Sequence, residues 1–114
     1  MQPTSPLLSV KSLDTAIKKM INNKKIDTII SVLNTTHLTW TKKSRKFIPN
    51  YRRRLNRQKL PPVFSETGAF LISKSKCISV NNRIGKHVDL YVLKSFEEGI
   101  DIDNFKDLKL CEYY

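Results

Sequence analysis

Two aspartates near the C-terminal end of the chain have the spacing that most clearly suggests chemistry. Asp101 and Asp103 lie two positions apart in the segment GIDID. On an extended backbone, side chains two residues apart project to the same side, so both carboxylates would point to one place. Like charges held so close repel each other unless a cation or protons intervene, and Mg²⁺ with substrate phosphates is a common partner. A solvent-exposed strand end before a helix is the alternative that the spacing leaves open.

A basic segment in the middle of the chain offers a second kind of chemistry. Nine Lys and Arg residues and no Asp or Glu lie between Lys42 and Lys59. Because a guanidinium pairs with a carboxylate or phosphate through two parallel hydrogen bonds, one of these arginines could hold an acidic ligand. A solvated basic surface and loose contact with nucleic acid are the other two interpretations. Aromatic residues that would stack on bases are sparse in the densest part of the run.

The composition argues against several other kinds of site. The chain has 114 residues, with 21 Lys and Arg against 10 Asp and Glu, and a formal charge of +11. Its three glycines form no phosphate-binding loop, and its two cysteines and two histidines lack the spacing of metal ligands. We therefore expect free thiols in a reducing compartment and a cytoplasmic protein with no secretory signal and no membrane association.

The elements expected to position these residues belong to a thin α/β layer. The sequence predicts helices over 10–22 and 105–112 and strands over 27–33, 68–73 and 87–93, with a short strand at 37–42. Ser9 and Asn104 are the expected N-caps of the two helices. The apolar stripe of the first helix consists of Val10, Leu13, Ala16, Ile17, Met20 and Ile21. Ile100 and Ile102 flank the acids and predict a short strand tip there.

Five blocks of the sequence, in order, resemble the acylneuraminate cytidylyltransferases, the CMP-sialic acid synthetases and their legionaminate relatives. The blocks are QPTSPL at 2–7, RQKLPPVF at 57–64, ETGAFLI at 66–72, NRIGK at 82–86 and GIDIDNFKDLKLCE at 99–112. The resemblance is weakest over 34–51. It implies the C-terminal half of a three-layer α/β nucleotidyltransferase (Rossmann-like) domain with a mixed sheet. The expected parts are a helix and core strand at 1–33, a protruding basic dimerisation arm at 34–62, and strands, aspartate pair and final helix at 63–114.

The resemblance also implies an activity and a set of site residues. Enzymes of this family join CTP to a nine-carbon 2-keto (nonulosonic) acid of the sialic type and release pyrophosphate, a step towards lipopolysaccharide or capsule. The implied site residues are the Mg²⁺ ligands Asp101 and Asp103, the carboxylate-binding Arg57, and the sugar-binding Gln2, Thr4 and Ser5. A homodimer formed through the arm is implied as well.

The sequence departs from the family pattern in ways that bear on activity. The family's phosphate loop, of the form R-x-G-S-K-x(4)-K-N, has no counterpart in the 114 residues. Thr67 stands where Asn is usual, Leu71 where an aromatic is usual, and Lys59 where Asp is common. We therefore expect a truncated or split cytidylyltransferase that is inactive alone. A small basic nucleic-acid-binding protein and a non-catalytic interaction protein are the alternatives, and nucleic acid is not the partner that we expect.

Overall fold

The computed structural model of the chain describes residues 3–114 and has mixed α/β structure. Its helices and strands are α1 (Val10–Asn22), β1 (Thr28–Asn34), β2 (Trp40–Lys43), β3 (Lys46–Pro49), β4 (Phe64–Ser73), β5 (Val88–Val92) and α2 (Phe105–Tyr113). The chain divides into two compact units. We call 34–65 the basic unit, and we call the described residues up to Leu33 together with Glu66–Tyr114 the sheet unit. No helix of the described part is both long and apolar enough to span a membrane.

The sheet unit is built on a mixed three-stranded sheet in the order β4-β1-β5. β1 is β-branched and apolar almost throughout, and its first five residues are buried. It pairs in parallel with β5, where Ile30 lies opposite Leu90. On its other side β4 runs antiparallel, because the Thr28 side chain meets Ser73 while the Ser31 side chain meets Phe70. The predicted α/β class is confirmed.

Side-chain hydroxyls hold the part of β4 around Gly68. Gly68 has a φ of 75°, a conformation that glycine adopts without steric cost and that is typical of a bulge. The fully buried Ser31 Oγ accepts a hydrogen bond from the Phe70 N–H at 3.0 Å and lies 2.8 Å from Thr67 Oγ1. Thr67 Oγ1 in turn accepts from the Ala69 N–H at 3.3 Å. These hydroxyls supply hydrogen bonds to backbone groups of β4 beside Gly68.

Helix α1 packs against the sheet through a narrower face than its sequence predicts. Ser9 is the N-cap, as predicted, and its side chain accepts from the Ser12 N–H. Ala16 and Met20 lie in the core with Ile29, Ala69 and Phe70. The predicted apolar stripe is wrong at three positions, since Val10, Ile17 and Ile21 are exposed. One small sheet covers only one side of a helix, whereas the six apolar residues spread over a wider arc.

The predicted strand tip around Ile100 and Ile102 is wrong. Residues 100–104 belong to no helix or strand, although Ile100 is buried as an anchor should be. A strand needs a neighbour whose backbone pairs with it along several residues. Here one backbone hydrogen bond, from the Ile102 N–H to the Thr4 carbonyl at 2.8 Å, joins this segment to the N-terminal loop.

The basic unit contains a β-hairpin that the sequence predicted only in part. β2 and β3 pair antiparallel, with Trp40 opposite Pro49 and Lys42 opposite Phe47. The turn between them is Ser44-Arg45, with φ values of 50° and 69°. Two positive φ values in a two-residue loop are typical of a type I′ turn, which normally takes Asn and Gly. The expected strand at 37–42 is therefore shorter, begins at Trp40, and has a partner in the basic run.

Candidate functional site

Two buried polar atoms mark the candidate site. Among the described residues, Ser5 Oγ and Asp101 Oδ1 are the buried side-chain oxygens that have no hydrogen-bond partner. Leaving a polar atom buried and unpaired costs stability, and for a carboxylate oxygen the cost is larger than for a hydroxyl. Such atoms in a folded protein call for an explanation, and a bound cation or ligand is one that fits a carboxylate beside a hydroxyl-bearing loop.

The hydrogen bond between Ile102 and Thr4 brings two distant blocks of the sequence together. Ser5 and Asp101 each lie one residue away from this contact. Ser5 is also held by a turn, since its carbonyl accepts from the Leu8 N–H. The structure thus brings the QPTSPL block into contact with the GIDID block. A site shared by Thr4, Ser5 and Asp101 requires such a contact. Gln2 lies outside the described residues.

The two aspartates have different surroundings. Asp101 is half-buried, whereas Asp103 is exposed. The backbone of Asp103 is fixed by α2, because its N–H donates to Asp107 Oδ2 at 3.0 Å and Asp107 forms a capping box with Asn104. This box confirms Asn104 as the N-cap of the last helix. The start of α2 therefore fixes the backbone of Asp103 and leaves its side chain exposed.

A metal at this place would not be held by protein carboxylates alone. The described residues contain no group of three or more His, Cys, Asp or Glu side chains that could hold a metal ion. Mg²⁺ commonly takes one or two carboxylates and completes its shell with waters and substrate phosphates. A site with only Asp101 and Asp103 as charged ligands fits that pattern, and it depends on the substrate for the remaining oxygens.

Glu98 is a buried acid next to the site that sequence reasoning missed. Its carboxylate accepts from Ser12 Oγ at 2.7 Å and from the Ser9 N–H at 3.1 Å. Burial raises the pKa of Glu98, but the hydrogen bonds from Ser12 and Ser9 outweigh it and lower the pKa below its ordinary value. Through these hydrogen bonds Glu98 links the start of α1 to the turn that precedes Ile100. Its neighbour Glu97 has the same charge, so the sequence alone gave no signal to separate the two.

Arg57 belongs to the basic unit. It begins a short 3-10 turn, Arg57–Lys59, and is exposed. With Asn34, Thr36 and Gln58 it lines a cavity of about 440 Å³ within that unit. The guanidinium is therefore accessible to a ligand, as its expected role requires.

The NRIGK block lies at the opposite end of β1 and has a structural role there. The Gly85 N–H donates to Thr28 Oγ1 at 2.8 Å, and the Asp27 carboxylate lies 3.3 Å from His87 Nδ1. Burial raises the pKa of Asp27, but hydrogen bonds from His87 and the charge of Lys76 lower it further than burial raises it. These contacts hold the 82–86 segment against the start of the strand.

No protein-family model and no curated protein matches the chain. The assignment to a family therefore stays a prediction that rests on the five sequence blocks.

Proposed function

We propose that this chain supplies the metal and sugar-acid side of a cytidylyltransferase site that activates a nonulosonic acid with CTP. The observation that supports it most is the contact of Ile102 with Thr4, because the residues next to them in sequence, Asp101 and Ser5, carry the unpaired carboxylate oxygen and the unpaired hydroxyl. A carboxylate pair next to a hydroxyl-bearing loop suits a cation on one side and a polyhydroxy ligand on the other. The mixed sheet is compatible with a Rossmann-like nucleotidyltransferase half.

Each residue of the proposed site has a distinct task. Asp101 and Asp103 bind Mg²⁺, which when present neutralises charge on the phosphates of the nucleotide. The Ser5 hydroxyl, buried and without a protein partner, donates to or accepts from a sugar hydroxyl. Arg57 binds the sugar's carboxylate through its planar guanidinium, and the family resemblance implies that it does so from the partner of a homodimer.

Nucleotide binding is proposed to need residues beyond these 114. The sequence contains no loop of the form R-x-G-S-K. The proposed chain therefore binds a divalent cation and a nonulosonic acid, and converts CTP only when a phosphate-binding loop is supplied by another polypeptide or by further sequence.

Metal binding is tested with Mn²⁺, whose free concentration can be followed by electron paramagnetic resonance. We expect the wild-type chain to bind Mn²⁺ and Asp101→Asn to weaken binding at least about tenfold, since it removes one of two charged ligands. Asp14→Asn removes the same charge from an exposed position on α1 and should bind as the wild type does. Equal affinities for the wild type and the Asp101 variant would contradict the proposed ligand.

A stability measurement separates this outcome from simple misfolding. Asp101→Asn also removes the charge from a half-buried carboxylate that has one buried, unpaired oxygen, so the metal-free variant should melt at the same temperature as the wild type or higher. Loss of Mn²⁺ binding with a preserved melt identifies a ligand. Loss of binding together with a lower melting temperature would instead indicate a structural role.

The sugar-acid part is tested by NMR titration of the chain with N-acetylneuraminic acid and Mg²⁺. We expect Ser5→Ala to weaken the interaction, while Ser79→Ala, at an exposed position elsewhere in the sheet unit, leaves it unchanged. Incubation with CTP, Mg²⁺ and the same acid should yield no CMP-sugar. Substantial turnover by the chain alone would refute the split-site part of the proposal and leave the ligand assignments standing.

A further inference from the structure

We propose that the basic unit binds single-stranded nucleic acid through the exposed face of the β2–β3 hairpin and the basic cavity beside it. This inference does not rest on the proposed cytidylyltransferase role, because it uses none of the residues proposed for that site: Asp101, Asp103, Ser5 and Arg57. It gives a second role to the unit that contains Arg57. It also differs from the expectation from the sequence, which did not favour nucleic acid because few aromatic residues lie in the basic run.

The hairpin register collects aromatic and basic side chains on one face. Because directly opposite residues of an antiparallel pair share a face, Trp40, Lys42, Phe47 and Pro49 project to the same side. Trp40 is 53% exposed and Phe47 is 69% exposed. The Lys42 ammonium lies 5.7 Å from the centre of the Phe47 ring. The face therefore presents rings on which bases could stack, next to a cation for the phosphate.

Tyr51 continues this face and fixes the orientation of its rings. Its ring meets Trp40 edge-on, with the centroids 5.8 Å apart and the planes at 88°. Arg54 donates to the Tyr51 hydroxyl at 3.0 Å and lies over the same ring. An aromatic side chain already held in place loses less entropy when a base stacks on it.

A cavity of about 570 Å³ adjoins Tyr51 within the same unit. Tyr51, Arg52, Arg53 and Lys59 supply ring and charge to its lining, and Leu55 and Leu60 supply apolar wall. Its volume lies in the range of small-molecule pockets, about 300–1,000 Å³. Cations beside an apolar wall suit a nucleotide, whose phosphate is anionic and whose base is flat and largely apolar on its faces.

The charge of the unit supports a polyanion as the partner. Residues 34–65 contain nine Lys and Arg and no Asp or Glu, so no carboxylate within the unit neutralises them. A membrane surface is the less suitable polyanion, because the hairpin tip consists of Lys43, Ser44, Arg45 and Lys46 and offers no apolar residue for insertion. A duplex is less suitable than a single strand, since its bases are already stacked on one another.

Binding is tested with the full chain and fluorescein-labelled oligo(dT) and oligo(rU) of about 20 nucleotides, followed by anisotropy. We expect affinity for both that falls at least about tenfold between about 50 and 200 mM salt, and weaker binding to a duplex of equal length. Trp40 is the single tryptophan of the chain, so its fluorescence should be quenched as the strand binds. An unquenched Trp40, or a duplex bound as tightly as the single strand, would overturn the proposal.

A matched pair of variants separates stacking from general attraction. Phe47 and Phe105 are each 69% exposed, and each carries a lysine ammonium over its ring, at 5.7 Å and 5.3 Å respectively. Phe47→Ala should weaken oligonucleotide binding about tenfold, whereas Phe105→Ala, outside the basic unit, should leave it unchanged. Equal affinity of the two variants would overturn the stacking surface. Tighter binding to anionic phosphatidylserine vesicles than to the oligonucleotides would assign the surface to membranes instead.

Discussion

Glu98 is buried and Asp101 is half-buried on one short segment, and their carboxylates differ in how they are hydrogen-bonded. Glu98 is 7% exposed, and its carboxylate receives hydrogen bonds from Ser12 and Ser9. Asp101 has a buried oxygen that receives none. A fully satisfied buried carboxylate stabilises a fold, whereas an unsatisfied one lowers stability and is retained when a ligand pairs with it. Glu98 therefore has a structural role, and Asp101 is the acid that we propose binds a ligand.

The structural role of Glu98 predicts a loss of stability in Ser12→Ala. The substitution removes the shortest hydrogen bond to the carboxylate, at 2.7 Å, and leaves a buried charge with fewer donors. Hydrogen bonds to charged groups contribute about 1.5–3 kcal/mol, so the free energy of unfolding at neutral pH should fall by about that amount. Urea unfolding followed by circular dichroism measures it. Thr15→Ala is the control on the same helix, because the Thr15 hydroxyl is exposed and bonds only its own helix at the Lys11 carbonyl.

The same variant has a predictable pH dependence. The pKa of Glu98 is lower in the folded chain than its ordinary value, which is about 4. A lowered folded pKa contributes stability that is present above the unfolded pKa and is lost as the pH falls through the folded pKa. The difference between the wild type and Ser12→Ala should therefore shrink below about pH 4. A difference that stays constant down to about pH 3 would show that Ser12 acts through packing.

At the scale of elements, substitutions at two glycines test how tightly each end of β1 is packed. A Cβ on Gly85 would lie 2.5 Å from Asp27 Cβ, an atom fixed to the backbone one residue before β1. A Cβ on Gly99 would lie 2.7 Å from Leu33 Cδ1, the far end of a flexible side chain. We expect Gly85→Ala to destabilise by about 1–3 kcal/mol and Gly99→Ala by clearly less. Thermal unfolding of both variants measures the difference, and the reverse order would contradict this account of the packing.

The hairpin turn predicts a stabilising substitution. Arg45 has a φ of 69°, and the left-handed region costs a non-glycine residue about 1–2 kcal/mol. Arg45→Gly should remove most of that cost and slow hydrogen exchange of the β2 and β3 amides by about fivefold or more. Arg53→Gly removes the same charge from the same unit at a position without a positive φ, and it should not slow exchange. Faster exchange in the Arg45 variant would show that the side chain itself supports the hairpin.

The elements that the sequence predicts well are those defined by local signals. α1 begins after Ser9 and α2 after Asn104 because each cap bonds its own first turn, and β1 is evident from its apolar, β-branched run. The hairpin was predicted only in part because its turn lacks the Asn-Gly signal. The segment around Asp101 was predicted as a strand, yet its shape depends on Thr4, almost the whole chain away. The aspartates could be singled out from spacing, but the unpaired oxygens could not.

Across the whole molecule, every Asp and Glu lies outside the basic unit, whereas Lys and Arg occur in both units. The pKa values of Asp27, Asp89 and Glu98 are all lowered, and all three lie in the sheet unit. For Asp89 the first cause is the hydrogen bond from Lys19, whose ammonium lies 2.6 Å from the carboxylate. The basic unit contains no Asp or Glu at all. Protonation of carboxylates therefore acts directly on the stability of one unit and not on that of the other.

This segregation predicts that acid unfolds the two units at different pH values. Each lowered pKa contributes stability that is present above about pH 4 and disappears as the carboxylate is protonated, so the sheet unit should lose stability as the pH falls from about 5 to about 3. The lysines and arginines of the basic unit stay charged over that range. The helical circular dichroism signal, from α1 and α2, should therefore fall before Trp40 fluorescence changes, because Trp40 lies in the basic unit.

The test depends on which signal changes first in acid, the helical circular dichroism or the Trp40 fluorescence. A urea titration at neutral pH with the same two signals gives the reference, since the carboxylates are then charged throughout. If helical signal and Trp40 fluorescence change together in acid, the two units unfold as one cooperative body and the direct electrostatic effect on the sheet unit is transmitted to the hairpin. If Trp40 changes first, carboxylate protonation is not what limits acid stability. Only an earlier loss of helix, with Trp40 unchanged, agrees with a sheet unit that depends on its ionised acids and a hairpin that has none.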